Sequence, residues 1–259
     1  MAILLHKHGA FFDEIFSLPG FFSEPILCFG FQDTKLKIKK DKVRGPRKPR
    51  SFPERVWRAG VRRIRRGFGL PADRIVVIEP APPMPRFAED LNVENLEVYL
   101  RNRGFHEVVS LDFFDPRAAL RYDMNQPVPE SEHERYGTLM DIGCIEHLFD
   151  TRQCLENCLR MVRTGGVYFL QTPVHGFLGH GLHTFNPETL LAAVEINGFE
   201  VLYLRYCAKD GTLLEDPGGA ADSLIWLVAR KTRPLGDFEI PQQGRWTARY
   251  SPLEAGGGR

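Results

Sequence analysis

Apolar residues recur at helical spacing at the start of the chain. Leu4, Leu5, Phe11, Phe12, Ile15 and Phe16 form one stripe with His8, and the run Ser-Leu-Pro-Gly at 17–20 ends it. This pattern predicts a docking helix within residues 1–24. The run Ile26–Phe31 suits a short buried strand. A second helical stripe, Trp57, Val61, Ile64 and Phe68, lies among arginines in residues 51–68, with Ser51 and Glu54 spaced as a capping box. Residues 74–80 (RIVVIEP) read as a strand that runs into a proline-rich turn. Val93, Leu96, Tyr99 and Leu100 predict a helix capped by Asn92 and stopped at Gly104.

From there strands and helices alternate. EVVSLD predicts a strand that ends in Asp112, ALRYD a short one that ends in Asp123, and YGTLMDIG one that ends near Gly143. A helix over Thr151–Val162 follows, capped by Asp150 and closed at Gly165. The strand GVYFLQT, a helix capped by Asn186 with Pro187 in its first turn, and the strands FEVLYLRYC and SLIWLVARK complete the series. The last two are joined by a loop rich in Gly, Pro and Asp and form an antiparallel pair. Such alternation predicts an α/β fold: a Rossmann-like, doubly wound sheet of about seven strands, the last antiparallel, in a three-layer sandwich. The domain is expected to span 25–232 with a basic insertion at 35–74, and the tail 233–259 to be extended or disordered.

The net charge of +1 hides an asymmetry: residues 35–66 hold fifteen Lys or Arg against Asp41 and Glu54, so the remainder is acidic. The basic helix at 51–68 fits an anionic membrane surface, and nucleic acid is the weaker partner because its aromatics sit at helical spacing. No apolar run reaches the roughly 20 residues of a membrane span, and the N-terminus lacks a cleavage signature, which predicts a cytoplasmic protein, peripheral at most. Five cysteines without a C-x-x-C pair predict free thiols, with Cys154 and Cys158 as small apolar residues on a buried helix face.

In open parallel sheets ligands bind at the carboxyl ends of the strands. Asp112, Asp123, Glu146 and His147 all fall there. The segment DIGCIEHLFD…RMVRTGGVYFLQTP, followed by HGLHTFNPETL, resembles the class I S-adenosylmethionine-dependent methyltransferases, in a divergent branch with a degenerate glycine-rich motif. The resemblance covers Asn95 to Lys231. It implies S-adenosyl-L-methionine as cofactor, Asp112 on the ribose hydroxyls and Asp123, with Met124, at the adenine. Gly30 in CFGFQD stands where the family has several glycines, and Gly143 and Glu146 complete the expected cofactor set.

Methyl transfer requires a nucleophile held in line with a sulfonium methyl, and a base where the nucleophile keeps its proton. His147, His180 and His183 are the expected catalytic histidines, with His175 nearby. His180 and His183, three residues apart in a Gly-rich loop, make a weak metal pair, and no metal is expected. Glu146 and His147 are equally readable as a cap for the helix at Thr151. Three functions remain: a methyltransferase that acts on a small molecule or glycan at a hydroxyl or another oxygen or nitrogen nucleophile; a non-catalytic relative that serves as a binding or scaffold protein; and an RNA methyltransferase that uses the basic arm.

Overall fold

Strand alternation sorts the side chains onto two faces, and both faces are covered. The structure, a computed structural model, describes residues 2, 3, 5–17, 20–34 and 94–242. In chain order its elements are β1 (Ala2–Ile3), α1 (Leu5–Phe16), β2 (Ile26–Phe29), β3 (Asp33–Thr34), α2 (Leu96–Asn102), β4 (Val108–Leu111), β5 (Tyr136–Ile142), α3 (Thr151–Met161), β6 (Val162–His175), α4 (Pro187–Ile196), β7 (Phe199–Ala208), β8 (Leu213–Leu214) and β9 (Ser223–Lys231). The basic arm with its 51–68 helix, the 74–80 strand, Asn92 and everything after residue 242 lie outside the described residues.

Seven strands form one sheet in the order β4-β2-β5-β6-β9-β7-β8, and β1 pairs separately with β3. Strands β4, β2, β5 and β6 are mutually parallel, whereas β9 runs antiparallel between β6 and β7. The result is the expected Rossmann-like sheet with an antiparallel last strand. Its seventh strand is not the expected one. ALRYD contributes only Leu120, which bridges to Leu111, because the chain turns back directly after Asp112 with no helix between. The count is completed by β8, two residues from the loop before β9 that pair with β7.

On one face Cys28, Met140, Phe169, Cys207 and Trp226 meet Phe11, Phe12, Ile15 and Phe16 of α1 and Leu96, Tyr99 and Leu100 of α2. Phe12 is the hub, with ring centroids 5.3 Å from Trp226, 5.9 Å from Phe169 and 6.2 Å from Tyr99. Residues one register away, Leu27, Leu139, Tyr168, Leu170 and Leu227, are buried on the opposite face. There α3 packs on β5 and β6, and α4 on β7. Cys154 and Cys158 are fully buried on α3, and all five cysteines are free. No helix among the described residues is long and apolar enough to cross a membrane.

Two predicted helix ends move. Helix α2 is capped by Asn95, whose side chain accepts from Val98 N, rather than by Asn92. Helix α3 starts as expected, with Asp150 accepting from Gln153 N, but stops at Met161, and Val162 is already extended. The register passes from Tyr136–Val162 to Thr138–Val167, so residues 163–166 bulge from β6. Gly165 turns there with φ +83°, and a Cβ on Gly166 would lie 2.7 Å from Gly137 O. The buried Lys231 locks this junction: its Nζ donates to Leu159 O at 2.9 Å and Val162 O at 2.7 Å and pairs with Glu134. After β9 the chain is irregular, held where Glu239 N donates to Asn197 Oδ1.

Truncating the hub should be costly. Phe12→Ala is expected to lose ~3–5 kcal/mol in denaturant titration, while Phe114→Ala, at a side chain 86% exposed, should stay within ~0.5 kcal/mol of the parent.

Candidate functional site

Asp141, fully buried near the end of the central strand β5, shapes the site. Its Oδ1 accepts from Cys144 N and Ile145 N, both at 3.2 Å, and its Oδ2 from the Tyr168 hydroxyl at 3.0 Å. Gly143, at φ +70°, donates its N–H to Gln171 O at 2.7 Å. These bonds bend the chain into a single 3₁₀ turn, Ile145–His147. The turn carries Glu146 inward, to 1% exposure, and leaves His147 outside. Glu146 and His147 therefore do not cap α3, a role that Asp150 fills.

Inside, Glu146 Oε2 accepts from Thr172 Oγ1 at 2.9 Å. Its backbone carbonyl accepts from Leu182 N at 2.8 Å and His183 N at 3.1 Å, which fastens the loop after β6 onto the turn after β5. Gly181 permits this approach, since a Cβ there would lie 2.8 Å from Glu146 O. His180 Nε2 then stands 3.6 Å and His147 Nε2 3.8 Å from Glu146 Oε1, with the two rings 5.2 Å apart. The Nε2 of His183 is buried with no hydrogen-bond partner among the described residues. His175 is exposed at the end of β6.

Gly30, at φ +79°, ends β2 and donates its N–H to Leu111 O at 2.7 Å. The next residue, Phe31, donates its N–H to Asp112 Oδ2 at 3.0 Å, while Asp112 Oδ1 accepts from Phe114 N and Asp115 N. The glycine turn and the acid after the neighbouring strand thus form one wall. A Cβ on Gly30 would lie 2.5 Å from Cys144 Sγ and 2.8 Å from Gln32 Nε2. Gln32 is buried, donates to Ile142 O at 3.0 Å, and has an Oε1 without a partner among the described residues. Cys144 thereby links the Gly30 wall to the Glu146 turn. On the far side Asp123 Oδ1 accepts from both nitrogens of Asn125, whose Oδ1 accepts from Asp150 N. Met124 is buried against Asn157 of α3.

The electrostatics follow from burial. Burial raises Asp141 to about 7, against the lowering pull of Tyr168 and the two backbone donors. Burial, with the Asp141 charge added, raises Glu146 to about 7. His147 is lowered by burial and by His180. At Asp112 burial opposes ionisation, but the backbone donors of Phe31, Asp115 and Phe114 outweigh it and hold the carboxyl below its usual range. Five large apolar side chains stand exposed on the loops after β4, β5 and β6: Phe113, Phe114, Phe149, Leu178 and Leu182.

Of the predicted residues, Gly30 and Asp112 meet at one wall, and Gly143, Glu146, His147, His180 and His183 meet around the β5 and β6 ends. Asp123 and Met124 lie on a third loop that reaches this region through Asn125. Sequence reading missed Asp141, Thr172, Gln32 and Cys144. The signal for Asp141 was an acid inside an otherwise apolar strand, and for Thr172 a hydroxyl at the end of one. The acceptor capacity left at this wall would suit the ribose of a nucleoside cofactor. Three donors occupy Asp112, and a carboxylate accepts about four, so Oδ2 keeps a lone pair for a ribose hydroxyl, while Asp123 Oδ2 accepts no bond among the described residues.

The architecture around this site is a Rossmann-like sheet in which the last described strand runs antiparallel between its two neighbours. No protein-family model and no curated protein matches the sequence. Some solved structures show a partial likeness. The cyclase SpnF matches at 14% identity over 54% of this chain and 72% of that chain, with a TM-score of 0.39. A methyltransferase from Burkholderia thailandensis, 1,6-didemethyltoxoflavin-N1-methyltransferase with bound S-adenosylhomocysteine, matches at 17% over 53% and 66%, with a TM-score of 0.36. A SAM-dependent methyltransferase from Archaeoglobus fulgidus matches at 16% over 52% and 81%, with a TM-score of 0.36.

The raised Asp141 makes stability depend on pH. The native state holds this proton more tightly than the unfolded chain, so the contribution is complete below about pH 4 and is lost as pH rises through about 7. Asp141→Asn keeps an oxygen for the backbone donors and an amide for Tyr168 without the charge. Urea unfolding at pH 5 and pH 8 should show the variant gaining about 1–3 kcal/mol on the parent at the higher pH, and an unchanged difference would contradict the assignment.

Proposed function

We propose that this protein is an S-adenosylmethionine-dependent methyltransferase that acts on a small molecule or glycan at a hydroxyl or another oxygen or nitrogen nucleophile. The meeting of Gly30 and Asp112 carries the proposal. A bare-backbone turn after one strand and an ionised acid after its neighbour, locked together by the Phe31–Asp112 bond, are what a nucleoside needs for close backbone approach and for ribose recognition. Asp112 would accept from the ribose, and Asp123 and Met124 would face the base. The cofactor supplies an activated methyl group, and the protein's task is alignment.

The acceptor side is formed by Glu146, His147 and His180, where the nucleophile gives up its proton. Thr172 and the two backbone donors to the Glu146 carbonyl fix this cluster before any substrate arrives. The exposed Phe113, Phe114, Phe149, Leu178 and Leu182 favour an acceptor that carries an apolar portion beside its nucleophile. A second reading, a non-catalytic binding protein, is favoured by Cys144 and Gln32, which crowd Gly30 where the cofactor's methionine end would lie.

Calorimetric titration with S-adenosylhomocysteine separates the two. The full chain should bind it, and Asp112→Asn, which retains an oxygen for Phe114 N and Asp115 N but not for Phe31 N, should bind it ~10–100-fold more weakly, in line with about 1.5–3 kcal/mol for a charge-assisted hydrogen bond. No binding by the parent would establish the non-catalytic reading. With an identified acceptor, His180→Ala should lower turnover by ~10²–10⁴-fold at nearly constant S-adenosylhomocysteine affinity. Full turnover in that variant would leave positioning alone as the source of rate.

A further inference from the structure

Glu146 presents an imbalance. Its carboxylate is 1% exposed, and among the described residues no Lys or Arg pairs with it. Buried carboxylates are compensated by a cation, a protein one or a metal, or else protonate. What faces Glu146 Oε1 is a pair of imidazole nitrogens, His180 Nε2 at 3.6 Å and His147 Nε2 at 3.8 Å. Both separations are too long for hydrogen bonds. They lie a few tenths of an ångström beyond the roughly 3.4 Å ligand–ligand edge of a tetrahedral site with bonds near 2.1 Å. All three ligand atoms fall within 4.8 Å of one another, and among the described residues they are the only such group of three.

The surroundings match a metal site in two further respects. Thr172 Oγ1 holds the other carboxylate oxygen at 2.9 Å, the kind of outer hydrogen bond that orients a ligating carboxylate. The two histidines are half-exposed, at 36% and 39%, so the side away from Glu146 is open to solvent, as in sites that keep a coordination position for substrate. The loop carrying His180 is held in register by the bonds from Leu182 N and His183 N to the Glu146 carbonyl. Two imidazoles and one carboxylate suit a first-row transition cation such as Zn²⁺, Co²⁺ or Mn²⁺ better than Mg²⁺ or Ca²⁺, which prefer oxygen.

We infer that Glu146, His147 and His180 form a binding site for one divalent transition-metal ion, with an open position facing the acceptor side. The inference deepens the proposed function, on which its role in activating the acceptor rests. An acceptor hydroxyl bound at the open position would be acidified by the ion and lose its proton to solvent, so that in the metal-loaded protein His180 would act as a ligand in place of the base role proposed for it. The ion would also supply the positive charge that Glu146 lacks.

The test is calorimetric titration of the full chain, without a histidine tag and stripped with chelator, using Zn²⁺, with Co²⁺ visible absorption as a second readout. We expect one ion per chain. The His147→Asn/His180→Asn double variant, altered only at half-exposed side chains, should bind at least ~10-fold more weakly, as should Glu146→Gln, while circular dichroism shows each to be folded. No binding by the parent, or equal binding by the folded double variant, would overturn the site. The same samples are titrated with S-adenosylhomocysteine. Binding of it without metal binding removes the ion and leaves the methyltransferase proposal standing; metal binding without it leaves the ion and removes the proposal.

Discussion

The carboxylate of Asp141 is the interaction on which the rest of the site depends. It lies near the end of a central strand with parallel neighbours on both sides, where a charge has no solvent, and it meets that constraint by gathering the N–H groups of Cys144 and Ile145 and the Tyr168 hydroxyl. Those bonds reverse the chain within three residues of the strand end. Without that reversal Glu146 would continue outward with the strand direction, and neither its bond to Thr172 nor the docking of the 181–183 backbone on its carbonyl could form. A structural acid at the sheet's centre thus fixes a chemical acid at its edge. Burial places both near 7, and the charge of Asp141 adds to the shift at Glu146, so the turn and the charge state of the site are linked.

The same economy holds at Asp112. Its three backbone donors spend most of its acceptor capacity on holding the loops after β2 and β4 together. That use keeps it ionised and aims its remaining lone pair. A residue of this kind is neither purely structural nor purely functional, because the geometry that ligand recognition needs is produced by the bonds that stabilise the loop.

The strands were legible in the sequence because each buried one alternates or runs apolar over a length that only a strand can use, and the helices because Asp150, Asn186 and Pro187 mark their starts. The end of α3 was not legible. Gly165 has the look of a helix stop, yet it serves a bulge inside β6, and the residue that ends the helix is Val162, drawn into the sheet by Tyr136 and by Lys231 from a distant strand. The ALRYD segment misled for a related reason: its apolar residues pair through Leu120 alone, since the tight turn at Asp112 leaves no length for a ladder. The site was legible as far as its edge. Asp112, Glu146, His147 and His180 could be placed by the rule that ligands sit at carboxyl ends of strands, but which of them face one another depends on Asp141, Thr172 and the Gly181 approach, and no local pattern encodes those.

The place of β9 has a consequence for how the chain acquires its structure. It is the last strand in sequence among the described residues, yet it is flanked on both sides, by β6 and by β7. Until it arrives, β6 and β7 each present a long unpaired edge, and the last turn of α3 lacks the Lys231 ammonium that closes it. A chain emerging from the ribosome must therefore carry two open edges through the synthesis of more than twenty further residues after β7 begins, and only a strand inserted between them, rather than added at a margin, can finish the sheet. That order makes the central pairings of this half of the sheet non-local ones, whose loop-closure cost is met only when β9 is available.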